Sequence, residues 1–143
     1  MSSIRDVRLI SIPKITDRRG NLSFIEGGSH IPFQIRASYW IYNVPAGEKR
    51  GGRAYRRLEE FFVALSGSFD VVVTDGKETR VFTLDQSDVG LYVPNMIWAH
   101  LENFSTNSVC LILASLPYSP EDYIDYSDFI EEVRQVENDD PRL

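Results

Sequence analysis

Eight short apolar segments follow one another along this chain with turn-forming residues between them and no helical stretch among them. They read "VRLISI", "NLSFIE", "FQIRASYWIYNV", "EFFVALSGSFDVVVTDG", "TRVFTL", "VGLYVP", "MIWAHLENF" and "SVCLILAS". Valine, isoleucine and aromatic residues dominate them, which suits a pleated, half-buried surface. Ser66-Gly67 inside "LSGSFDV" predicts one turn, and Asp75-Gly76 in "VVVTDGKETRVF" predicts a tight hairpin turn. Strand after strand without a crossover helix rules against a parallel α/β sheet and implies an all-β sandwich or barrel.

The period changes only near the end. In "SPEDYIDYSDFIEEVRQVEN", Ser119 can cap, Pro120 suits a first turn, and acids follow at once, so a short C-terminal helix is predicted to start there. Tyr123, Tyr126, Phe129, Ile130 and Val133 recur at three-to-four spacing and form a stripe that should pack on the barrel or on a second subunit. No linker or repeat divides the chain, and residues 1–143 read as one domain.

Charge narrows the partners. The formal net charge is −6, yet residues 121–143 carry −7 and the rest +1, so the acid is concentrated in a tail that reads as a solvated helix face and a frayed end. The opposite bias lies in "KRGGRAYRR", residues 49–57, with five cations in nine residues. The acidic pI of about 4.9 and the brevity of the cluster argue against nucleic acid. Guanidinium forks match phosphate oxygens, so a compact anionic ligand and a solvated basic loop are the two readings of the cluster. The N-terminus lacks a signal-peptide core and no apolar run is long enough to span a bilayer, so the expectation is a cytoplasmic protein with no membrane partner. Cys110 lies in an apolar run and reads as a core residue.

The stretch "GGRAYRRLEEFFVALSGSFDV", residues 51–71, has the frame of a metal-binding strand pair without the residues that grip a metal. Cupin jelly rolls place a His-x-His pair and a Glu on one strand motif, and Gly, Pro and a third His on another. The frame fits here: Gly51-Gly52 open the first motif, Arg53 and Tyr55 occupy the His-x-His positions, Glu60 takes the acid position and Gly67 closes it. The second motif runs through Gly90, Pro94, Ala99 in the His position and Asn103. Arginine has no lone pair to give and alanine has no donor, so three of the four ligand positions are lost or weakened, and no metal or other cofactor is expected. His100 does not rescue the site, because a residue next to an inward Ala99 points outward on a regular strand.

With those residues in view, the chain resembles the WxcM-like cupins, the dTDP-4-keto-6-deoxyglucose 3,4-ketoisomerases, from about Asp17 to Phe129. The stretches that carry the resemblance are "DRRGNLSFIE", "RRLEEFFVALSGS", "GLYVPNMIW", "ENFSTNSV" and "YIDYSDF". It implies an all-β cupin jelly-roll barrel, a homodimer, a dTDP-linked keto-deoxyhexose in each barrel, no metal, and a place in making deoxy- or aminosugars for surface glycans. It also implies that Arg19, in an element shared with the dTDP-sugar epimerases, lies near the ligand. In the family a histidine pair moves the protons; here Arg53 and Tyr55 stand in its place.

Candidate acid–base groups are therefore Tyr55, whose pKa a neighbouring Arg53 can lower, Arg53 as a fixed donor to an enediolate oxygen, Glu60 as a base, and Tyr39 as a further proton carrier. Each also has a plain structural reading, as barrel filling or a salt bridge. Arg19, Arg53 and Arg57 are candidates for diphosphate oxygens, Arg57 sharing a face with Arg53 on a regular strand. Tyr92 and Trp98 are candidates for stacking on base or sugar, or else plain core. Two functions remain open: an isomerase or related epimerase with non-histidine acid–base groups, and a catalytically silent nucleotide-sugar binder.

Overall fold

The computed structural model describes residues 2–139; residues 140–143, the end of the predicted acidic tail, lie outside them. After a 3₁₀ turn at Ile4–Asp6, capped by Ser3, the chain forms β1 (Arg8–Ser11), the hairpin β2 (Lys14–Asp17) and β3 (Gly20–Ser23), β4 (Ala37–Tyr42), β5 (Arg50–Tyr55) and β6 (Glu60–Ser66). It continues through β7 (Phe69–Thr74), β8 (Thr79–Leu84), β9 (Val89–Val93), β10 (Trp98–Glu102), β11 (Val109–Ala114), β12 (Tyr123–Ile124) and α1 (Tyr126–Asp139). Two five-stranded sheets form, ordered β1-β9-β6-β11-β4 and β12-β5-β10-β7-β8, with antiparallel neighbours throughout. This is the cupin jelly roll with a C-terminal helix.

The two-residue period of a strand decides what faces the interior. On β7, Phe69, Val71 and Val73 are buried while the residues between them are only half-buried. On β6, Phe62 and Ala64 enter the core between the sheets, together with Leu91, Ala99, Leu101, Cys110 and Ile112 from facing strands. Phe61 and Val63 point the other way, under a cover formed by Ile12, Ile31 and Phe33.

The two predicted turns fall where expected: Gly67 (φ 66°) joins β6 to β7, and Asp75 and Gly76 (φ 94°) join β7 to β8. The helix start does not. Ser119 to Asp122 close a single turn, Tyr123 and Ile124 pair with Tyr55 and Ala54 on β5, and the helix begins at Tyr126. Asp125 is its cap, its carboxylate accepting from the Asp128 N–H at 2.9 Å. Tyr123 thus belongs to a strand and not to the helical stripe, whereas Phe129 and Val133 do pack against Ala54 and Ile124 on the outside of the second sheet.

Phe129 is wholly buried and joins the helix to the barrel. Phe129→Ala should lower unfolding free energy by about 3–5 kcal/mol in urea titration, and the helix should become the first region to lose amide protection in hydrogen exchange.

Candidate active site

Inside the barrel lies a cavity of about 470 Å³ lined by Tyr39, Ile41, Lys49, Arg50, Arg53, Tyr55, Glu60, Phe62 and Leu101, among others. Its polar wall comes from three strands. β4 contributes Tyr39, β5 contributes Arg53 and Tyr55, and β6 contributes Glu60 from its first position. The alternation that sends Phe62 and Ala64 inward sends Glu60 inward with them. The four residues expected to do chemistry, Tyr39, Arg53, Tyr55 and Glu60, therefore line one cavity.

Glu60 is 8% exposed, and its Oε2 accepts a hydrogen bond from the Tyr39 hydroxyl. Burial raises its pKa from the ordinary 4.5 to about 7, against the opposing pull of the Tyr39 bond and the Arg53 charge. Tyr39 is 37% exposed as a whole residue, but its hydroxyl reaches the buried carboxyl. Desolvation and then the charge of Glu60 push its pKa far upward, so it remains a donor at any working pH.

Tyr55 corrects an expectation. Its pKa is raised, not lowered: burial is the largest cause, Glu60 adds to it, and hydrogen bonding to Arg53 only partly offsets both. Arg53 itself is raised chiefly by its hydrogen bond to Tyr55.

Four other expected residues lie elsewhere. Arg57 does not share a face with Arg53, because β5 ends at Tyr55; its backbone N–H donates to Asp122, and its exposed side chain lies 3.6 Å from the same carboxylate. Arg19 sits at the exposed tip of the β2–β3 hairpin, paired with Asp17 at 2.7 Å, and does not line this chain's cavity. Tyr92 faces outward from β9, where it packs on Phe33, donates to Glu59 and carries Arg8 over its ring. Trp98 faces outward from β10 and packs between Tyr126 and Phe129 of the helix. Both aromatics are therefore outside the barrel, because they take the strand phase opposite to Leu91 and Ala99. His100 shares the outward phase of Trp98, its Nε2 lying 3.2 Å from Glu102.

Lys49, just before β5, and Arg50, its first residue, add two cations to the cavity, and Arg50 escapes a reading by regular alternation. Ala99 pairs with Arg53 and Leu101 with Arg50, so three steps on β5 match two on β10. This β-bulge at Gly51-Gly52, with Gly51 at φ 73°, brings Arg50 and Arg53 to the same cavity despite their odd spacing. The glycine pair within the basic cluster was the available signal. A second hollow of about 460 Å³ adjoins the first through Trp40, Ile41, Lys49 and Arg50, and continues along Tyr42, Asn43 and Pro45. Among the described residues, no three His, Cys, Asp or Glu side chains converge as a metal-binding group, and no helix is long and apolar enough to cross a membrane.

A cupin jelly roll whose cavity joins a buried carboxyl to two phenols and three cations is, as a class, a polar small-molecule site on a β-barrel. The family model described as FdtA, WxcM-like, C-terminal, matches residues 5–134, and the chain belongs to that family. It is 38% identical over 130 residues to the TDP-4-oxo-6-deoxy-alpha-D-glucose-3,4-oxoisomerase of Aneurinibacillus thermoaerophilus, covering 90% of this chain and 94% of that one. Among solved structures, a mutant of the 3,4-ketoisomerase QdtA from Thermoanaerobacterium thermosaccharolyticum in complex with TDP-4-keto-6-deoxyglucose superposes with a TM-score of 0.89 at 32% identity, covering 92% of this chain and 96% of that one. The TDP-quinovose 3,4-ketoisomerase WlaRB from Campylobacter jejuni gives a TM-score of 0.84 at 32% identity, covering 90% and 99%.

The raised pKa of Glu60 has a stability consequence. Between about pH 4.5 and 7 the folded chain holds a proton that the unfolded chain has lost, so stability falls as pH rises through that window. The full cost above it is about 3 kcal/mol. Glu60→Gln keeps an acceptor for Tyr39 and removes the titration. Its thermal midpoint should exceed that of the parent at pH 8 and match it near pH 4.

Proposed function

We propose that this chain is a metal-independent dTDP-4-keto-6-deoxyhexose 3,4-ketoisomerase in which Glu60, Tyr39, Tyr55 and Arg53 replace the family's histidine chemistry. The observation that carries this reading is that these four side chains line one cavity in a member of a family whose relatives bear that activity. The hexose occupies the barrel cavity, and Lys49 and Arg50 meet the diphosphate at the join with the second hollow.

The ionised Glu60 takes the C3 proton. The C3–H electron pair becomes the C3–C4 double bond, and the C4 carbonyl electrons move to O4. Arg53 stabilises that oxyanion. Tyr55 gives its phenolic proton to O4 and recovers one from the O3 hydroxyl. Collapse of the O3 oxyanion to a C3 carbonyl draws the proton on Glu60 to C4, leaving a C4 hydroxyl and a regenerated enzyme. A carboxyl with a pKa near 7 is suited to both halves of this exchange. Tyr39 stays protonated throughout and holds Glu60 in place by its hydrogen bond.

A second reading, a binder that does not turn over, has one observation in its favour: the raised pKa of Tyr55 makes its phenol reluctant to surrender a proton. A homodimer accompanies the first reading. Its support is the exposed apolar surface at Ile15 and Leu22 on the β2–β3 hairpin and at Tyr42 and Leu65 on the outer face of the first sheet. Arg19, at the tip of that hairpin, would then serve the cavity of a second copy. Light scattering at micromolar concentration should return twice the chain mass.

Incubation with dTDP-4-keto-6-deoxyglucose in D₂O, followed by NMR, should show a 3-keto product, with deuterium at C4 in the fraction of turnovers in which the Glu60 proton exchanges with solvent before its return. Exchange at carbon without carbonyl migration would point to an epimerase, and saturable binding without exchange to the silent binder. Tyr55→Phe should lower kcat at least about 100-fold with little change in ligand affinity, as expected for loss of a proton carrier. The parent's kcat/KM should rise with pH and level off above about 7, as Glu60 ionises.

A further inference from the structure

Arg53 is not held by the barrel alone. Its guanidinium carbon lies 5.7 Å from the ring centroid of Tyr118 and 5.4 Å from that of Tyr123, so two phenol rings from the segment after β11 flank one cation. Neither tyrosine lines the cavity, and Tyr118 is 57% exposed on no strand or helix. Tyr123 is nevertheless fixed relative to Arg53, and Tyr118 precedes it on the same tethered segment. Tyr123 pairs with Tyr55 across β12 and β5, one strand alternation from Arg53. Between the two tyrosines, the buried Asp122 accepts from the N–H groups of Arg57 at 2.9 Å and Leu58 at 3.0 Å, while its own carbonyl accepts from Arg56 at 2.8 Å. Three successive backbone N–H groups at the end of β5 thus tie the aromatic segment to the strand that bears Arg53 and Tyr55.

We propose that Tyr118 and Tyr123 are positioning residues that bracket Arg53 and aim its N–H donors at the substrate oxygen that becomes negative. An arginine at a barrel mouth has many rotamers, and the single phenol of Tyr55 leaves most of its fork free to swing into solvent. Attraction to the two ring quadrupoles removes most of that freedom without consuming an N–H donor, since each phenol engages the cation through its ring. The hydrogen bond with Tyr55 raises the Arg53 pKa, and both residues line the cavity. A preset donor gains far more for a developing oxyanion than one that must be ordered during the reaction. Where a histidine pair is missing, such pre-ordering supplies part of what imidazole would have done. The identity of the oxygen rests on the isomerase reading; the bracket itself does not.

The test compares Phe with Leu at each tyrosine, singly and together. Phe keeps a ring for the cation, and Leu keeps bulk without it. First, in the ligand-free protein, the Arg53 Nε–H resonance should be shifted by ring currents in the parent and both Phe variants, and move toward its solvent-exposed position in the double Leu variant. Second, with dTDP-4-keto-6-deoxyglucose, the double Leu variant should lose about tenfold or more in kcat/KM, mostly in kcat, while the Phe variants stay within about twofold. An Arg53 resonance indifferent to Leu, or full kcat in the double Leu variant, overturns the bracket. If the parent binds this ligand but does not turn it over, the isomerase reading fails, and the bracket is judged on the resonance and on affinity, which Leu should weaken and Phe preserve. Should the double variant fold poorly, Tyr118→Leu decides alone, because Tyr118 lies outside every strand.

Discussion

A carboxyl group enclosed by a β-barrel, with a phenol for a partner and no ion pair among the described residues, is the constraint around which this molecule is organised. Glu60 occupies its position because it begins the same strand that sends Phe62 and Ala64 into the core. Nothing local favours a carboxylate there, since removing it from water raises its pKa toward neutrality and weakens the folded state as the group ionises. The surrounding chemistry offsets that cost in graded fashion. Tyr39 donates to the carboxyl, the Arg53 charge stabilises its ionised form, and Tyr55 lies between the two in the network.

Such an arrangement differs from an imidazole pair in kind. Two histidines each titrate near neutrality and can exchange roles as acid and base. Here the burden is divided. The carboxyl alone titrates near pH 7, Tyr39 holds its proton, and the guanidinium keeps its charge at all times. On the proposed mechanism, catalysis relies on electrostatic preparation, one proton carried between carbons by Glu60 and one carried between oxygens by Tyr55.

The fold was legible in the chain because its strands are short, apolar and separated by Gly-containing turns, features that depend only on local sequence. Arg53, Tyr55 and Glu60 are placed by the spacing of the strand motif, and Tyr39 by sharing the phase of Ile41. Counting failed where the backbone broke step. The bulge at Gly51-Gly52 concealed Arg50, and the end of β5 after Tyr55 removed Arg57. Tyr92 and Trp98 are aromatic residues on strands, and their chemistry does not say which sheet face is lined by ligand and which by the helix or the N-terminal cover. Tyr123 was hidden by a run of helix-like spacing that a two-residue strand interrupts. Its approach to Arg53 is a contact between segments some seventy residues apart in the chain, and no short-range pattern reports it.

The pair of glycines in β5 also bears on how such a cavity diverges. One extra residue on that strand sets the phase of everything before it, so gain or loss of a single codon there would turn Arg50 between lumen and solvent while Arg53 and Tyr55 keep their places. The charge that lines such a cavity can therefore change through chain length at one point, without any substitution in its walls.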